Sequence, residues 1–287
     1  MFKNIQIPAS FSLIEKGKVS LLLKEEHKNL LLAQGIGDLK TFLKKRCRTA
    51  HYRKGRTLHP SIPFRDGMSM VLRRYSHGGL LRAITGNLYF FGARSFRELA
   101  LTEEIRSCGV PTISSVGAIH HCIFFPFYQA YFLSLEIPRA MDLMQYFSEI
   151  GPHPSREDLS SKRKTIRSVG LLIRQFHQAG FFHGDLQLKN ILLEGDHPLL
   201  IDFDRSYRKS NLSVKERMRN LLRLDRSAEK WRRHGLPITN TDRWRFFLAY
   251  AGEDKKIREA MEKTLRTYSL RSLFYRFGWT VEKILGA

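Results

Sequence analysis

The sequence predicts an α+β protein of two lobes, a small β-rich N-terminal lobe followed by a larger α-helical C-terminal lobe. Two observations lead to this prediction: alternating apolar and polar positions are concentrated in the first half of the chain, and helical apolar spacing dominates the second half. The chain has 287 residues, 43% of them hydrophobic, which is enough for two lobes around a shared cleft. We expect residues 1–50 to form a basic lead-in that packs on the N-terminal lobe, residues 51–138 to form that lobe, and residues 139–287 to form the helical lobe.

The N-terminal lobe is expected to contain three strands and one helix. The helix, Ser95–Cys108, has amphipathic spacing and is ended by the Gly109-Val110-Pro111 sequence. The strands are predicted where short apolar or alternating runs are bounded by turn residues: Met68–Tyr75, Thr112–Ile119 and Tyr128–Ile137.

One stretch of this lobe carries no charge and resembles a membrane span in length. No Asp, Glu, Lys or Arg occurs from Ser107 to Leu135, which would cross a bilayer of roughly 30 Å. Two prolines, two glycines and a His–His pair interrupt the stretch, which favours a pair of buried strands over a transmembrane helix. We therefore expect a soluble or peripheral protein.

The C-terminal lobe is predicted from two helices, a hairpin and a long basic region. A hairpin is expected around the turn Gly195–Pro198, and the pattern from Val214 onward is helical and rich in Lys and Arg. The two helices and the two hairpin strands are predicted at Met141–Ile150, Ser161–Gly180, Ile191–Leu193 and Leu199–Phe203.

The charge and the cysteine content restrict the class of partner and the compartment. With 49 Lys and Arg against 27 Asp and Glu, the net charge is +22, which indicates an anionic partner such as a membrane surface, a phosphorylated substrate or nucleic acid. The three cysteines form no CxxC pair, so neither a disulfide framework nor a zinc site is expected, and a reducing compartment is indicated. The first residues lack the apolar core of a signal peptide, so secretion is not expected.

The segment Phe181–Ser206 carries the residues of a phosphoryl-transfer site. His183, Gly184 and Asp185 are followed by Asn190 at the spacing of the protein-kinase catalytic loop, and Asp202 follows an apolar strand as the kinase metal-binding aspartate does. We expect Asp185 to be the catalytic carboxylate, with His183 beside it. Asn190 and Asp202 are expected to hold Mg²⁺ against the phosphates of ATP, because Mg²⁺ prefers oxygen ligands. The predicted fold is therefore bilobal and protein-kinase-like.

A charged pair in the N-terminal lobe is expected to position the phosphates. Arg73 stands where the strand lysine of kinases would be, and Glu98 on the next helix is its expected ion-pair partner. Arg74 points to the opposite face of the strand and is the alternative if the register differs by one residue.

Three further residues are predicted to bind the nucleotide. Gly55 is the single glycine before the strand, so it would have to serve in place of a glycine-rich phosphate loop. Glu136 and Pro138 follow the second apolar strand, where the backbone of a kinase hinge binds adenine.

Four segments resemble the lipopolysaccharide kinase family, which includes Kdo kinases and core heptose kinases. They are Val71–Leu81, Ala93–Pro111, Leu172–Leu193 and Ile201–Ser206. The resemblance implies an alcohol-acceptor phosphotransferase that uses ATP and Mg²⁺ on a sugar hydroxyl, Kdo or heptose, of lipid A-linked core lipopolysaccharide. It also implies a peripheral protein on the cytoplasmic side of the bacterial inner membrane. Two features depart from the usual kinase pattern: Arg73 stands in place of the strand lysine, and a single glycine stands in place of the glycine-rich loop.

The region after the catalytic motifs suits an anionic, non-peptide acceptor. Between Arg205 and Arg245 there are 13 Lys or Arg and four Asp or Glu, a local net charge of +9, and no activation segment of kinase length precedes the helical pattern. Three alternatives remain open: a small-molecule kinase of the aminoglycoside or choline type, a RIO-like protein kinase, and a basic nucleic-acid-binding pseudokinase. The intact catalytic positions disfavour the last. The sequence leaves the oligomeric state open.

The segment His77–Phe91 is expected to touch an anionic membrane surface. Its apolar side chains lie beside several arginines in the sequence. The alternative is that its aromatic residues pack under the Ser95–Cys108 helix as ordinary core. The apolar residues concerned are Leu80, Leu81, Ile84, Leu88, Tyr89, Phe90 and Phe91.

Overall fold

The structure is a computed structural model in which an antiparallel sheet with flanking helices precedes a mainly helical lobe. It describes residues 5–46, 51–53, 59–76, 86–151 and 153–264.

The N-terminal lobe is built on one large antiparallel sheet. The strands are β1 (Phe11–Lys16), β2 (Val19–Lys24), β3 (His51–Arg53), β4 (His59–Arg65), β5 (Met68–Arg74), β6 (Tyr89–Phe90), β7 (Ser115–Phe124) and β8 (Phe127–Leu135). Within the described residues the order of the strands in the sheet is β1-β2-β7-β8-β5-β4-β3, and β6 pairs with β8.

The uncharged stretch from Ser107 to Leu135 contains the central hairpin of this sheet. Strands β7 and β8 pair along most of their length, and both are largely buried. Such strands read as continuous apolar runs because both of their faces are covered. The predicted strands are therefore present, with their turn at Phe125–Pro126. In the part of the chain that the structure describes, no helix combines the length and apolarity needed to cross a membrane.

Helices cover both faces of the sheet. Helices α1 (Glu25–Ala33) and α2 (Leu39–Arg46) pack Leu31, Leu39 and Phe42 on one face, and α3 (Arg94–Ser107) packs Phe96 and Leu99 on the other. The alternation of side chains along β2 allows this, since Leu21 and Leu23 face one layer and Leu22 faces the other.

The sheet begins well before residue 51, the expected start of the N-terminal lobe. Residues 25–46 pack on the sheet, as expected of a lead-in, but β1 and β2 extend it through the pairing of β2 with β7. The mixed composition of the lead-in hid these strands. Strand β2 is largely buried and therefore lacks the simple alternation that sequence patterns detect.

The C-terminal lobe consists of helices around an apolar core. The helices are α4 (Leu143–Ile150), α5 (Arg156–Gln178), α6 (Val214–Arg233) and α7 (Asn240–Ala251), and residues 255–264 are also helical. Helices α5, α6 and α7 each begin with a capping box at Ser155, Ser213 or Thr239. The side chain of this residue accepts from the backbone N–H three residues later, and the acidic side chain at that later position accepts from the backbone N–H of the capping residue.

Short strands surround the predicted catalytic segment. They are β9 (Met141–Asp142), β10 (Phe181–Phe182), β11 (Ile191–Glu194), β12 (His197–Leu200) and β13 (Tyr207–Arg208). The hairpin β11–β12 is present, but β12 ends at Leu200 and does not reach Phe203 as predicted. The backbone leaves the strand there because Asp202 has a φ of 66°, in the left-handed region.

Candidate active site

The catalytic loop begins at His183, which is completely buried. Its Nε2 lies 3.0 Å from the carbonyl oxygen of Ile201, and its Nδ1 accepts from the N–H of Asp185 at 3.0 Å. These partners assign the proton to Nε2, and burial lowers the pKa of the ring, so His183 is neutral. With both ring nitrogens engaged, the ring of His183 holds the backbone of Asp185, and its predicted place beside the catalytic carboxylate stays a prediction.

Asn220 on α6 holds the same loop from the other side. Its side-chain amide donates to the carbonyl of His183 and accepts from the N–H of His183, both at 2.9 Å. The side chain is fully buried, and His177 lies 3.1 Å from its Oδ1. No local sequence pattern indicates this residue, because 37 residues separate it from His183 in the loop it holds.

Gly184 permits the catalytic loop to touch the Asp202–Asp204 turn. A Cβ at this position would lie 2.5 Å from the carbonyl oxygen of Asp204 and 2.7 Å from the carbonyl carbon of Arg205. Any side chain would therefore force the two loops apart. Glycine at this point of the motif is explained by this close approach.

Asp185 is an ionised carboxylate at the surface of the cleft. Gln187 and Arg223 donate to its Oδ1, with the Nε of Arg223 at 2.9 Å, and the Nζ of Lys189 lies 3.8 Å from its Oδ2. Partial burial would raise the pKa of Asp185, but the hydrogen bond from Gln187 and the charge of Arg223 outweigh it, so the pKa lies below its ordinary value. Arg223 was not identified from the sequence, where it is one of many cations on a basic helix.

Asn190 is buried directly behind Asp185. Its side-chain NH₂ donates to the backbone carbonyl of Asp185 at 2.7 Å, and its backbone carbonyl accepts from the N–H of Ile201. The NH₂ bond fixes the amide plane and leaves Oδ1 as the atom that can bind a cation.

Arg73 joins the two lobes at the centre of the site. One of its terminal nitrogens donates to Oε1 of Glu98 and the other to Oδ1 of Asp202, each at 2.5 Å. Burial would lower the pKa of Arg73, but the two carboxylates outweigh burial and raise it. The expected Arg73–Glu98 ion pair is present. Arg74 instead stacks its guanidinium 5.9 Å from the ring of Tyr131 on the other face of the strand, so the predicted register holds.

Tyr75 completes the buried end of this pair. Its hydroxyl donates to Oε2 of Glu98, and its ring lies 4.7 Å from the guanidinium of Arg73. Glu98 is only 4% exposed, so these two donors replace the water that a carboxylate would otherwise need. Tyr75 directly follows β5, and residues two apart along an extended chain share a face, so its spacing from Arg73 is the signal that could have identified it from the sequence.

Asp202 is ionised and faces the cleft beside Arg73. Burial would raise its pKa, but the charge and hydrogen bond of Arg73 outweigh it and lower the pKa. His59 on β4 lies within electrostatic range of both groups. Burial, reinforced by Arg73, lowers the pKa of His59 to about 4, so His59 is neutral at physiological pH.

A second arginine–aspartate pair lies beside the first. Arg94, at the start of α3, binds both carboxylate oxygens of Asp204, with its Nε 2.5 Å from Oδ1. This bidentate pair joins the N-terminal lobe to the turn that carries Asp202 and engages Asp204 fully. Asp204 replaces the glycine of the kinase motif, and the sequence did not reveal its partner because the two residues are 110 positions apart.

The remaining predicted site residues differ in how they are placed. The carboxylate of Glu136 accepts a hydrogen bond from the hydroxyl of Ser61, and the backbone N–H of Glu136 donates to the backbone carbonyl of Ser69 at 2.8 Å. Pro138, which has no N–H, follows in the segment between the lobes. Gly55 lies outside the described residues, between the paired strands β3 and β4.

The oxygens of Asn190 and Asp202 suit Mg²⁺, since an amide oxygen and an ionised carboxylate are hard ligands. They lie on consecutive loops joined by the bond from the N–H of Ile201 to the carbonyl of Asn190. Among the described residues no group of three or more His, Cys, Asp or Glu is arranged to hold a metal ion.

Comparison with known proteins gives concordant matches. The model of the "Lipopolysaccharide kinase (Kdo/WaaP) family" matches residues 40–250. A 3-deoxy-D-manno-octulosonic acid kinase of Pasteurella multocida (strain Pm70) is 31% identical over 200 residues, covering 66% of this chain and 79% of the relative. One from Vibrio cholerae serotype O1 (strain ATCC 39315 / El Tor Inaba N16961) is 33% identical over 167 residues, covering 56% of this chain and 65% of the relative.

The fold is also found in a solved structure. WaaP in complex with acyl carrier protein aligns with a TM-score of 0.57 and 18% identity, covering 91% of this chain and 98% of that chain. The bilobal kinase-like α+β fold predicted from the sequence is thereby confirmed. Because the family model spans most of the sequence, including the whole catalytic segment, this chain belongs to the lipopolysaccharide kinase (Kdo/WaaP) family and is a phosphotransferase that acts on a sugar hydroxyl.

Proposed function

We propose that this protein transfers the γ-phosphate of ATP to a hydroxyl of a Kdo residue in lipid A-linked core lipopolysaccharide. The observation that carries the proposal is the convergence of Asp185, Asn190 and Asp202 opposite Arg73 in the cleft. The curated relatives described above are named as kinases of this sugar, which favours Kdo over heptose.

The N-terminal lobe supplies the nucleotide contacts in this proposal. Arg73, held by Glu98, would turn its guanidinium from Asp202 to the α- and β-phosphates of ATP. The hinge would bind adenine through the carbonyl of Glu136 and the N–H of Ile137, since the N–H of Glu136 is used by Ser69 and Pro138 has none. Gly55 remains a proposed phosphate contact.

The cation would be held by Asn190 and Asp202. Bound Mg²⁺ would neutralise charge on the β- and γ-phosphates. The lowered pKa of Asp202 keeps its carboxylate ionised, and the hydrogen bond to the Asp185 carbonyl keeps the Asn190 amide oriented.

Asp185 would orient the acceptor hydroxyl and receive its proton. Its carboxylate is held by Gln187 and Arg223, so it approaches the hydroxyl in a fixed position. Arg223 also places an exposed cation at the acceptor side of the site, where the carboxylate or phosphate groups of an anionic sugar acceptor would bind. This cation supports an anionic acceptor over a cationic aminoglycoside or choline.

Substitution of either member of the Arg73–Glu98 pair is expected to impair the use of ATP. Arg73→Ala should raise the KM for ATP and lower kcat by one to two orders of magnitude, because it removes a charge-assisted contact to phosphate. Glu98→Gln should give a related but smaller defect, since Arg73 would lose its anchor. Steady-state kinetics of both single variants and of the double variant measure the coupling.

The two defects are expected to be non-additive, because Glu98 acts through Arg73. Arg74→Ala is the matched control, because Arg74 lies next in sequence on the other face of the strand. The KM of this variant for ATP should equal that of the wild type. Fully additive losses, or a larger defect in the Arg74 variant, would contradict the proposed role of Arg73.

The acceptor is tested by ATP consumption against a panel of hydroxyl compounds. Kdo-linked lipid A and its deacylated oligosaccharide should both be phosphorylated, whereas aminoglycosides and choline should not. Turnover with an aminoglycoside and none with the Kdo acceptors would overturn the proposed substrate. Phosphorylation of a protein acceptor alone would indicate a RIO-like kinase. Polyanion binding with no ATP turnover would indicate a pseudokinase.

The proposed site of action is the cytoplasmic face of the bacterial inner membrane, where the protein would bind peripherally. A lipid-linked acceptor and a net charge of +22 support this location. Of the segment expected to touch the membrane, Leu80, Leu81 and Ile84 lie outside the described residues. Tyr89 is buried in the core under α3, whereas Phe90 and Phe91 are exposed.

A further inference from the structure

Five phenylalanine side chains form a cluster at one end of the N-terminal sheet. They come from two separate segments, β6 with the residue after it and the turn of the β7–β8 hairpin. Their ring centroids lie 4.5 to 5.5 Å apart in a chain of contacts. This phenylalanine patch consists of Phe90, Phe91, Phe124, Phe125 and Phe127.

The patch faces solvent. Phe125 is 73% exposed and Phe90 is 63% exposed. Of the nine exposed large hydrophobic side chains among the described residues, four belong to this patch. Single exposed apolar side chains scattered over a protein surface are ordinary, but a contiguous exposed apolar patch indicates a binding surface.

The backbone holds the patch in its exposed position. Phe91 has a φ of 48°, in the left-handed region that bulky residues rarely adopt, and its N–H donates to the carbonyl of Pro126 at 3.2 Å. Strand β6 pairs with the start of β8, from Tyr89–Tyr128 to Phe90–Phe127. The exposed rings are therefore fixed to the sheet by main-chain bonds from both segments.

Exposed cations lie on two sides of the patch. Lys18 is exposed and donates to the carbonyl of Ile123, next to the hairpin turn, while Arg97 is exposed on the first turns of α3. The uncharged stretch from Ser107 to Leu135, which includes the β7–β8 hairpin, contains no acidic residue. Two of the carboxylates that line the adjoining groove are neutralised by cations: Glu98 is bound by Arg73, and Asp204 is bound by Arg94. This charge arrangement complements an anionic surface.

A groove connects the patch with the active site. It has a volume of about 1000 Å³ and runs from Phe90 and Phe91 past Arg94 to Asp204 and Arg205. An acceptor whose lipid remains in the membrane could thus extend its sugar from the patch toward the catalytic turn.

We propose that the phenylalanine patch inserts into the interfacial layer of an anionic lipid bilayer and docks the enzyme there. Aromatic side chains rimmed by cations are the composition with which a protein lies on such a surface without spanning it. The proposal rests on the proposed function for the lipid-linked acceptor, but the docking itself can be measured without catalysis.

The test is co-sedimentation of the full chain with phosphatidylcholine vesicles that contain or lack phosphatidylglycerol. The wild type should bind the anionic vesicles, and binding should weaken as salt is added. Phe124→Ser/Phe125→Ser should lower binding at least about tenfold, since two aromatic rings no longer leave water. The matched control is Leu171→Ser/Leu248→Ser, which removes two apolar side chains of 46% and 45% exposure from the C-terminal lobe and should bind normally.

Activity with two acceptors separates docking from catalysis and from unfolding. Phe124→Ser/Phe125→Ser should lose turnover with vesicle-embedded Kdo-lipid A. It should keep wild-type turnover with the deacylated oligosaccharide, which shows that the fold survives. Should that variant fail to fold, Phe90→Ser/Phe124→Ser, with one ring from each segment, gives the same comparison. If the wild type binds vesicles through the patch but phosphorylates neither acceptor, the proposed function fails while the docking surface stands.

Two results would overturn the docking proposal. One is vesicle binding that is unchanged in a folded patch variant. The other is a wild-type dimer that the patch variant splits while vesicle binding persists, which would make the patch an interface between two copies of the chain.

Discussion

Asp185→Asn is expected to lower kcat by about 10²–10⁴-fold while ATP still binds. The variant keeps the size of the side chain and removes the charge that orients the acceptor hydroxyl and takes its proton. Because Gln187 and Arg223 hold the wild-type carboxylate in place, the loss should fall on turnover and not on the KM for ATP. Steady-state kinetics, together with direct measurement of nucleotide binding, distinguish these two effects.

Asp196→Asn is the matched control for this prediction. Asp196 is an exposed aspartate in the turn between β11 and β12 and pairs with Lys164, so its loss should change kcat by no more than about twofold. Wild-type turnover by Asp185→Asn with ATP bound would exclude Asp185 as the catalytic carboxylate.

The pH dependence of kcat in the wild type should agree with the role of Asp185 as an ionised catalytic carboxylate. Partial burial opposes ionisation of Asp185, but Gln187 and Arg223 outweigh it, so its pKa lies below the ordinary aspartate value. A group with a lowered pKa is ionised above that pKa, and its contribution to rate is lost only as the pH falls through it. No decline in kcat attributable to Asp185 is therefore expected between neutral pH and the ordinary range of aspartate.

The catalytic loop could be predicted from the sequence because its residues are close together in the chain. Asp185 and Asn190 are five residues apart, and Asp202 follows a short hairpin, so their relative positions are fixed by local structure. The Arg73–Glu98 pair was predictable for a different reason: one strand and the following helix form a common arrangement with a known register.

The groups that position this loop could not be predicted, because they come from distant segments with ordinary sequences. Asn220 is one polar residue in a basic helix, and Arg94 is one of many arginines, yet the fold brings the first against His183 and the second against Asp204. Long-range pairing of this kind depends on tertiary packing that no local pattern encodes.

The strands β1 and β2 and the phenylalanine patch illustrate the same limit in the fold. The runs in Phe11–Lys24 could belong to a strand or to a helix, and their pairing with β7 resolves this only in three dimensions. Likewise Tyr89 and Phe90 are neighbours in sequence, but one is 5% exposed and the other 63%, because adjacent residues of a strand face opposite sides.

Asp202→Asn is expected to abolish the Mg²⁺ dependence of ATP binding and to lower kcat by at least about 10²-fold. The carboxylate is the charged member of the proposed cation site, and an amide oxygen binds a hard divalent cation much more weakly. The substitution also weakens the contact with Arg73, so ATP binding without Mg²⁺ should be retained or slightly tighter, since that guanidinium becomes available to phosphate. Calorimetric titration of ATP with and without Mg²⁺ measures this without relying on turnover.

Asp204→Asn is the informative comparison, because the two aspartates are two residues apart and each binds one arginine of the N-terminal lobe. Asp204 is engaged through both oxygens by Arg94, so its variant should lose stability and some activity yet keep Mg²⁺-dependent ATP binding. Should Asp204→Asn abolish the Mg²⁺ dependence and Asp202→Asn preserve it, the assignment of the two aspartates must be exchanged. The Arg94 pair would then be a resting contact that ATP and Mg²⁺ displace, and Arg73–Asp202 would be the fixed link between the lobes.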